Sequence, residues 1–120
     1  QMVDMANRAM VDFVWIRQKI DRGELSAAQH VLHGSLAEIN FRLVRELRMR
    51  RGESLPSFGL GRNVERDLSA EELSWVRVDA LCERETLVAA ALKALAGLEA
   101  LMGELVPTWK IPTLPELFQE

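Results

Sequence analysis

Residues 25–50 read LSAAQHVLHGSLAEINFRLVRELRMR, and apolar side chains recur through this stretch at steps of three and four. The recurring positions are Leu25, Ala28, Leu32, Leu36, Ile39, Leu43 and Leu47. This spacing follows the 3.6-residue period of an α-helix that buries one face. The sequence therefore predicts a long amphipathic helix from about Glu24 or Ser26 to Arg50. Gly34 interrupts its pattern, and either a close helix crossing or simple tolerance would account for it.

A first helix is predicted over residues 2–22, upstream of this one. Gly23 is its expected end, because glycine adopts the left-handed conformation at little cost. Ser26 and Gln29, just beyond, have the spacing of a capping box. After the second helix, residues 51–67 are predicted to form a loop, since glycine and proline recur there at positions 52, 56, 59 and 61.

Two further helices are predicted in the second half of the chain. The third begins at Ser69, because Glu72 follows at capping-box spacing. The fourth spans about residues 84–106, and the polar run 83–86 is the expected turn before it. A single long bent helix is the alternative, since no glycine or proline separates the two.

These four helices, with strand signals almost absent, define the expected fold class. Amphipathic helices with short connections predict an all-α, antiparallel four-helix bundle over residues 1–106. Pro107 ends the helical region, and the tail 107–120 carries Pro112 and Pro115. The tail is also apolar, with Trp109, Ile111, Leu114, Leu117 and Phe118. We therefore expect it to dock as part of the same domain.

Length and composition limit the number of domains, the classes of partner and the cellular location to be expected. A length of 120 residues is typical of one domain, and the net charge of −3 does not favour nucleic acid or an anionic membrane as a partner. Cys82 is the only cysteine, which favours a reduced, cytoplasmic location and a buried structural thiol. The most apolar stretch, 87–106, is interrupted by charges, so we expect a core helix and no membrane span.

Two groups of side chains have the chemistry to bind a ligand. His30 and His33 are three residues apart, but no Cys, Asp or Glu completes a metal site, so none is predicted. Arginines crowd the end of the second helix and the loop after it, at positions 42, 45, 48, 50, 51, 62 and 66. Basic groups at a helix C-terminus are stabilised by the macrodipole, and an anion site is the alternative interpretation.

The junction between the first two helices carries the most specific pattern. Trp15 and Lys19 are followed by Arg22-Gly23-Glu24-Leu25 and then by Ala28, His30 and Leu32. This run resembles the start of the helical C-terminal domain of small-molecule nucleotidyltransferases of the aminoglycoside and lincosamide type. Residues 58–68, FGLGRNVERDL, are similar to the glycine-plus-basic loop of that family. The order of elements extends the resemblance over nearly the whole chain.

The resemblance implies a helical domain that binds substrate and completes the cleft of a nucleotidyltransferase. The catalytic half would be a polymerase-β-type domain, upstream or on a separate chain, that holds Mg²⁺ and a nucleoside triphosphate. Gly34-Ser35 is followed by no Asp-x-Asp, so this chain alone is expected to bind neither. It would be either the separated helical domain or a stand-alone bundle, with a homodimer as a further expectation.

The resemblance also implies roles for individual residues. Glu24 corresponds to a carboxylate that helps to deprotonate the acceptor hydroxyl, although capping of the second helix is its plainer role. The side chains expected to contact the small-molecule acceptor, and to converge at one end of the bundle with Glu24, are Trp15, Lys19, Arg22, His30 and Arg62.

Two other functions compete with this one. A non-enzymatic interaction module, dimeric or antitoxin-like, would expose an apolar patch of Trp75, Val78, Trp109, Leu117 and Phe118. An RNA-binding bundle would use the basic stretch 42–66 and bind in a salt-sensitive way. Net acidity and the lack of tyrosine weaken the RNA interpretation.

Overall fold

The computed structural model describes residues 1–56 and 64–111, and 76% of these residues are helical, with no strand among them. The helices are α1 (Met2–Asp21), α2 (Leu25–Val31), a π-helical segment (Leu32–Ala37), α3 (Glu38–Arg50), α4 (Val64–Asp67), α5 (Ala70–Val76) and α6 (Arg84–Leu105). The all-α prediction is confirmed for the described residues.

Helix α1 ends as its glycine predicts. Gly23 has a φ of 78°, its N–H donates to the Ile20 carbonyl at 3.0 Å, and the Glu24 N–H donates to the Lys19 carbonyl at 2.8 Å. This pair of bonds is a Schellman motif, which requires a left-handed residue after the cap. Gly52, with a φ of 67°, ends α3 in the same way.

The predicted second helix is continuous in the structure, but its middle turn is π-helical. Helices α2 and α3 join through the π segment without a break. The capping box expected at Ser26 does not form, because α2 already begins at Leu25. Ser26 Oγ instead lies 3.6 Å from Cys82 Sγ, and Gln29 Nε2 donates to the Ala80 carbonyl at 3.4 Å.

The capping box at Ser69 is confirmed, but the helix that it starts is short. Ser69 Oγ accepts from the Glu72 N–H at 3.1 Å, and Glu72 Oε1 accepts from the Ser69 N–H at 2.9 Å. Helix α5 then ends at Val76, and residues 77–83 are not helical. The alternative of one long bent helix is therefore wrong, and the break precedes the predicted turn at 83–86.

The core explains this break. Buried apolar residues form two clusters, and Val76 belongs to the first, whereas Val78 and Ala80 pack against the second. Extended backbone rises about 3.3 Å per residue and a helix 1.5 Å, so an extended segment spans the two clusters with few residues. Cys82, at the end of this segment, is exposed and not buried as predicted.

Helix α6 serves both clusters, as the core-helix prediction requires. Its first half contributes Leu87, Ala90, Ala91 and Ala94 to the second cluster, and its second half contributes Leu98, Leu101, Met102 and Leu105 to the first. By length and composition alone α6 could also cross a membrane, and 44% of its most apolar window is buried inside the protein. Core helices of soluble proteins meet the same criterion.

A close approach of three elements is centred on Gly97. A Cβ at this position would lie 3.1 Å from Asn40 Nδ2 and 3.2 Å from the Trp75 Cα. Asn40 is 1% exposed, and its Nδ2 donates to the Trp75 carbonyl at 2.9 Å and to the Ala94 carbonyl at 3.0 Å. The side-chain amide therefore satisfies backbone groups where α5 ends against α6.

The apolar patch expected of an interaction module is not exposed in the part of the chain that the structure describes. Trp75 and Trp109 pack against the first cluster, and Val78 packs against the second. Trp109 Nε1 also donates to Asn7 Oδ1 at 3.0 Å, which holds the start of the tail on α1. Leu117 and Phe118, like all of residues 112–120, lie outside the described residues.

Candidate functional site

The turn between α1 and α2 brings two side chains of the predicted site together. The Schellman motif folds residue 24 back over residue 19, since the Glu24 N–H donates to the Lys19 carbonyl. Their side chains then meet, with Lys19 Nζ donating to Glu24 Oε1 at 3.1 Å. The glycine that ends the helix thus also sets the position of the carboxylate.

Trp15 is the third member of this group, which we call the junction trio (Trp15, Lys19 and Glu24). Lys19 Nζ lies 4.9 Å from the centroid of the Trp15 ring, a cation–π contact across one helical turn. Trp15 is 37% exposed, and the Lys19 and Glu24 side chains are 19% and 46% exposed. Ion pairs near the surface typically stabilise a protein by about 0.2–1 kcal/mol, so the Lys19–Glu24 pair adds little to stability.

Glu24 lies at the start of α2, but its side chain engages a residue of α1. It is the N-cap residue of α2, but its side chain makes no capping hydrogen bond. Lys19 engages Oε1 instead, and this side chain is about half exposed. The carboxylate still lies at the N-terminus of α2, where the macrodipole stabilises a negative charge, and its Oε2 accepts no hydrogen bond from the described residues.

The other predicted site residues are not joined to the trio. Arg22 and His30 are exposed, and neither side chain makes a hydrogen bond or ion pair with any residue that the structure describes. Arg22 lies on the same turn as Glu24, whereas His30 is six residues further along α2. Arg62 lies outside the described residues. The structure thus brings together three of the six residues, and their roles stay predictions.

The arginine-rich end of α3 is largely engaged within the fold. Arg48 donates from Nε to Glu72 Oε2 at 2.8 Å, and also to the backbone carbonyls of Ser54 and Asp67. Hydrogen bonding to Arg48 holds the pKa of Glu72 below its usual range, and the same bond raises the pKa of Arg48. These contacts explain Arg48 without a nucleic acid or phosphate partner.

Two neighbouring arginines also have partners in the fold. Arg50 Nη1 donates to the Leu105 carbonyl at 2.7 Å, at the end of α6. Arg51 Nη2 lies 3.0 Å from Glu104 Oε2. The cluster therefore joins the ends of α3, α5 and α6, which accounts for its basic character structurally and weakens its interpretation as an RNA surface.

A second candidate site, absent from the sequence-based expectations, lies between α1 and the π segment. This cleft has a volume of about 300 Å³, and its polar lining includes Arg8, Ser35, Glu38 and Arg42. Ser35 Oγ donates to Asp12 Oδ2, which ties the π segment to α1 beside the cleft. Two sequence signals point to this region: Gly34, which lines the cleft and does not mark a helix crossing, and Arg42, one of the arginines for which an anion site is the alternative interpretation.

No group of three or more His, Cys, Asp or Glu side chains that could hold a metal ion is present in residues 1–56 and 64–111. Both histidines of the His30-x-x-His33 pair are exposed. Comparison of the chain with protein-family models, with curated proteins and with solved structures gave no match.

Proposed function

We propose that this chain is the helical substrate-binding domain of a small-molecule nucleotidyltransferase. It would act with a polymerase-β-type catalytic domain, on the same polypeptide or on a separate chain, and its helices would pack as an antiparallel four-helix bundle. The observation that carries the proposal is the junction trio. It combines an aromatic face, a cation and a carboxylate with a vacant oxygen on an exposed turn, within the run of sequence that resembles that family.

The trio offers two functions toward a small hydroxylated acceptor. The exposed part of the Trp15 ring can cover an apolar or cationic portion of the acceptor. Glu24 can accept the proton of the attacking hydroxyl, with Lys19 holding the carboxylate in place through its other oxygen. Nucleotidyl transfer depends on positioning and electrostatics, so a carboxylate fixed beside the acceptor would assist it.

Mg²⁺ and the nucleoside triphosphate would be held by the partner domain. The described part of this chain has no cluster of carboxylates that fits a metal ion. We therefore assign no step of metal chemistry to this chain. Its own contribution would be limited to acceptor binding and to the proton on the acceptor hydroxyl.

The first test is genetic context followed by an activity assay. We expect the natural gene, or one beside it, to encode a polymerase-β-type domain with a Gly-Ser turn and an Asp-x-Asp pattern. The complete enzyme should transfer a labelled nucleotide from a nucleoside triphosphate to a hydroxylated small molecule. A gene and neighbourhood without that domain would contradict the proposal.

Variants of the complete enzyme then test the roles of the trio. Glu24→Gln should lower kcat by about 100-fold, because general bases typically contribute at least that factor. Trp15→Ala should mainly raise KM, since it removes acceptor contacts. Glu99→Gln, on the exposed side of α6, is the matched control and should leave both constants unchanged. Equal kcat values for the Glu24 and Glu99 variants would exclude the proposed proton transfer.

Homodimerisation is a second proposal, and one observation favours it. Val11 and Trp15 lie one turn apart on α1 and are 67% and 37% exposed, so they form a partly exposed apolar strip. Size-exclusion chromatography with light scattering tests this directly. A strict monomer at high concentration would remove the dimer, and Val11→Lys should weaken a dimer that does form.

A further inference from the structure

We propose that the cleft between α1 and the π segment binds the oxyanion group, phosphate or carboxylate, of a small ligand. This site is separate from the junction trio. Arg8, on the wall of the cleft, and Lys19, in the trio, are eleven residues apart on one helix, which corresponds to about 16 Å along its axis. The inference therefore does not rest on the proposed nucleotidyltransferase function.

The shape of the cleft suits a small ligand. Its volume of about 300 Å³ is at the lower end of the range for pockets that bind small molecules. Met5 and Ile39 give it an apolar portion, and both belong to or pack against the first core cluster. The apolar part of a ligand can lie there while its charged group meets the polar rim.

The guanidinium groups of Arg8 and Arg42, on that rim, have N–H donors that no described residue accepts from. The Arg8 side chain makes no hydrogen bond or ion pair with any residue in the described ranges. Among the described residues, the Arg42 guanidinium has one charged partner, Glu38, whose Oε1 lies 3.9 Å from Arg42 Nε, beyond hydrogen-bond distance. Guanidinium groups bind phosphate and carboxylate through paired N–H donors, so two such groups favour an oxyanion.

Arg8 and Arg42 differ from the three arginines at the C-terminal end of α3, whose side chains are engaged within the fold. Arg48, Arg50 and Arg51 each bond to a carboxylate or a backbone carbonyl. Arg42 also lies on α3, but it lines the cleft. Glu38 and Asp12 are the carboxylates nearby. Asp12 accepts from Ser35, and Glu38 partly offsets the charge of Arg42, so we expect modest affinity.

The backbone of the π segment also fits a binding site. A π-helical turn is uncommon and is found frequently at functional sites. Here it carries Gly34, at which an added Cβ would have no neighbour within 4 Å. Ser35, the next residue, is fixed to α1 through Asp12. The wall of the cleft is therefore anchored, and space is kept open beside it.

The test is a titration of the purified chain with two probes at low ionic strength. Pyrophosphate represents a phosphate source and succinate a carboxylate source, and binding is followed by calorimetry and by the amide NMR signals of Gly34 and Ser35. We expect at least one probe to bind and to shift both signals. Which probe binds more tightly identifies the source of the oxyanion.

Three variants locate the site. Arg8→Gln and Arg42→Gln should each weaken binding about tenfold, because a charge-assisted hydrogen bond typically contributes at least that factor. Arg77→Gln, an exposed arginine in the 77–83 segment, is the matched control and should bind as the parent does. Unchanged thermal unfolding would show that all three remain folded. Binding of neither probe, or equal binding by the Arg8 and Arg42 variants and the parent, would overturn the proposal.

Discussion

The contact between Arg48 and Glu72 gives the sharpest test of how this fold is held together. Glu72 accepts hydrogen bonds from Nε and Nη2 of Arg48, and its Oε1 also accepts from the Ser69 N–H. The two side chains are only 15% and 13% exposed. One carboxylate thus completes a helix cap and neutralises a largely buried guanidinium, so Glu72→Gln perturbs both functions while conserving volume.

The expected cost of Glu72→Gln follows from these contacts. Glutamine has one acceptor oxygen and its Nε2 is itself a donor, so one of the two bonds to Arg48 is lost and the other becomes a bond to a neutral group. Hydrogen bonds to charged groups contribute about 1.5–3 kcal/mol and those between neutral groups about 0.5–1.5 kcal/mol. The guanidinium also loses its counterion in a largely buried place, which adds to the cost. We expect a loss of about 2–3 kcal/mol in the free energy of unfolding, and a fall of roughly 10–20 °C in Tm.

Urea unfolding followed by far-UV circular dichroism measures this loss, with Glu71→Gln as the matched control. Glu71 lies in the same first turn of α5 but is exposed, so its replacement removes little beyond the interaction with the helix dipole, less than about 1 kcal/mol. If Glu72→Gln costs no more than Glu71→Gln, the contact with Arg48 does not stabilise the fold and the reasoning fails.

The pH dependence gives an independent check of the same contact. Because hydrogen bonding to Arg48 lowers the pKa of Glu72 in the folded state, its contribution is fully present above the ordinary glutamate value of 4.5. It is lost as the pH falls through the lowered folded pKa. The parent should therefore lose stability more steeply below pH 4.5 than Glu72→Gln does. The raised pKa of Arg48 adds no dependence near neutral pH.

Three further predictions concern the core and the exposed thiol. Gly97→Ala should lower the free energy of unfolding by about 1–3 kcal/mol in the same urea assay, since its Cβ would crowd Asn40 and Trp75. Gly103→Ala is the control: no atom lies within 4 Å of its added Cβ, so the change should be neutral or stabilising by up to about 1 kcal/mol. Asn40→Ala should cost about 2–4 kcal/mol, because two backbone carbonyls lose their donor; retained stability would show that water replaces the amide. Cys82, being exposed, should react with a thiol reagent in the folded protein, and protection until unfolding would contradict its placement.

Helix ends and strongly periodic helices were predictable from sequence because their causes are local. Gly23 ends α1 through its own backbone conformation, and Ser69 with Glu72 starts α5 through bonds three residues apart. The end of α5 was missed because its cause is not local. Residues 77–83 leave the helix to reach a second apolar cluster, and no glycine or proline marks the change.

The roles of Gly34 and Gly97 cannot be assigned from the sequence pattern, because they too depend on contacts between distant elements. Gly34 and Gly97 both interrupt a predicted helix, but Gly97 is at the close crossing and Gly34 lines open space. The distinction depends on which elements pack opposite each residue. Asn40 carried a usable signal, since it lies four residues after Leu36 and three before Leu43, on the buried face, where a polar residue requires partners.

The spacing of apolar residues before and within the π segment is consistent with its wider turn. Ala28, Leu32 and Leu36 follow one another at two successive steps of four, and on a regular α-helix each such step drifts by about 40°. All three are nevertheless at most 3% exposed. A wider π turn begins at Leu32 and offsets the drift. This explains how the apolar face stays buried while Gly34 and Ser35 are turned toward the cleft.

The two candidate sites lie against different parts of the core, which makes them separable by mutation. The junction trio lies at the end of α1 and the start of α2. These parts of the two helices contribute Ile16, Ile20 and Ala28 to the second cluster. The α1–π cleft rests on Met5 and Ile39, at the first cluster. Substitutions at distant sites without shared partners usually act additively. Loss of oxyanion binding in the Arg8 and Arg42 variants should therefore leave the effects of Glu24 and Trp15 substitutions unchanged, and coupling between them would mean that one ligand spans both sites.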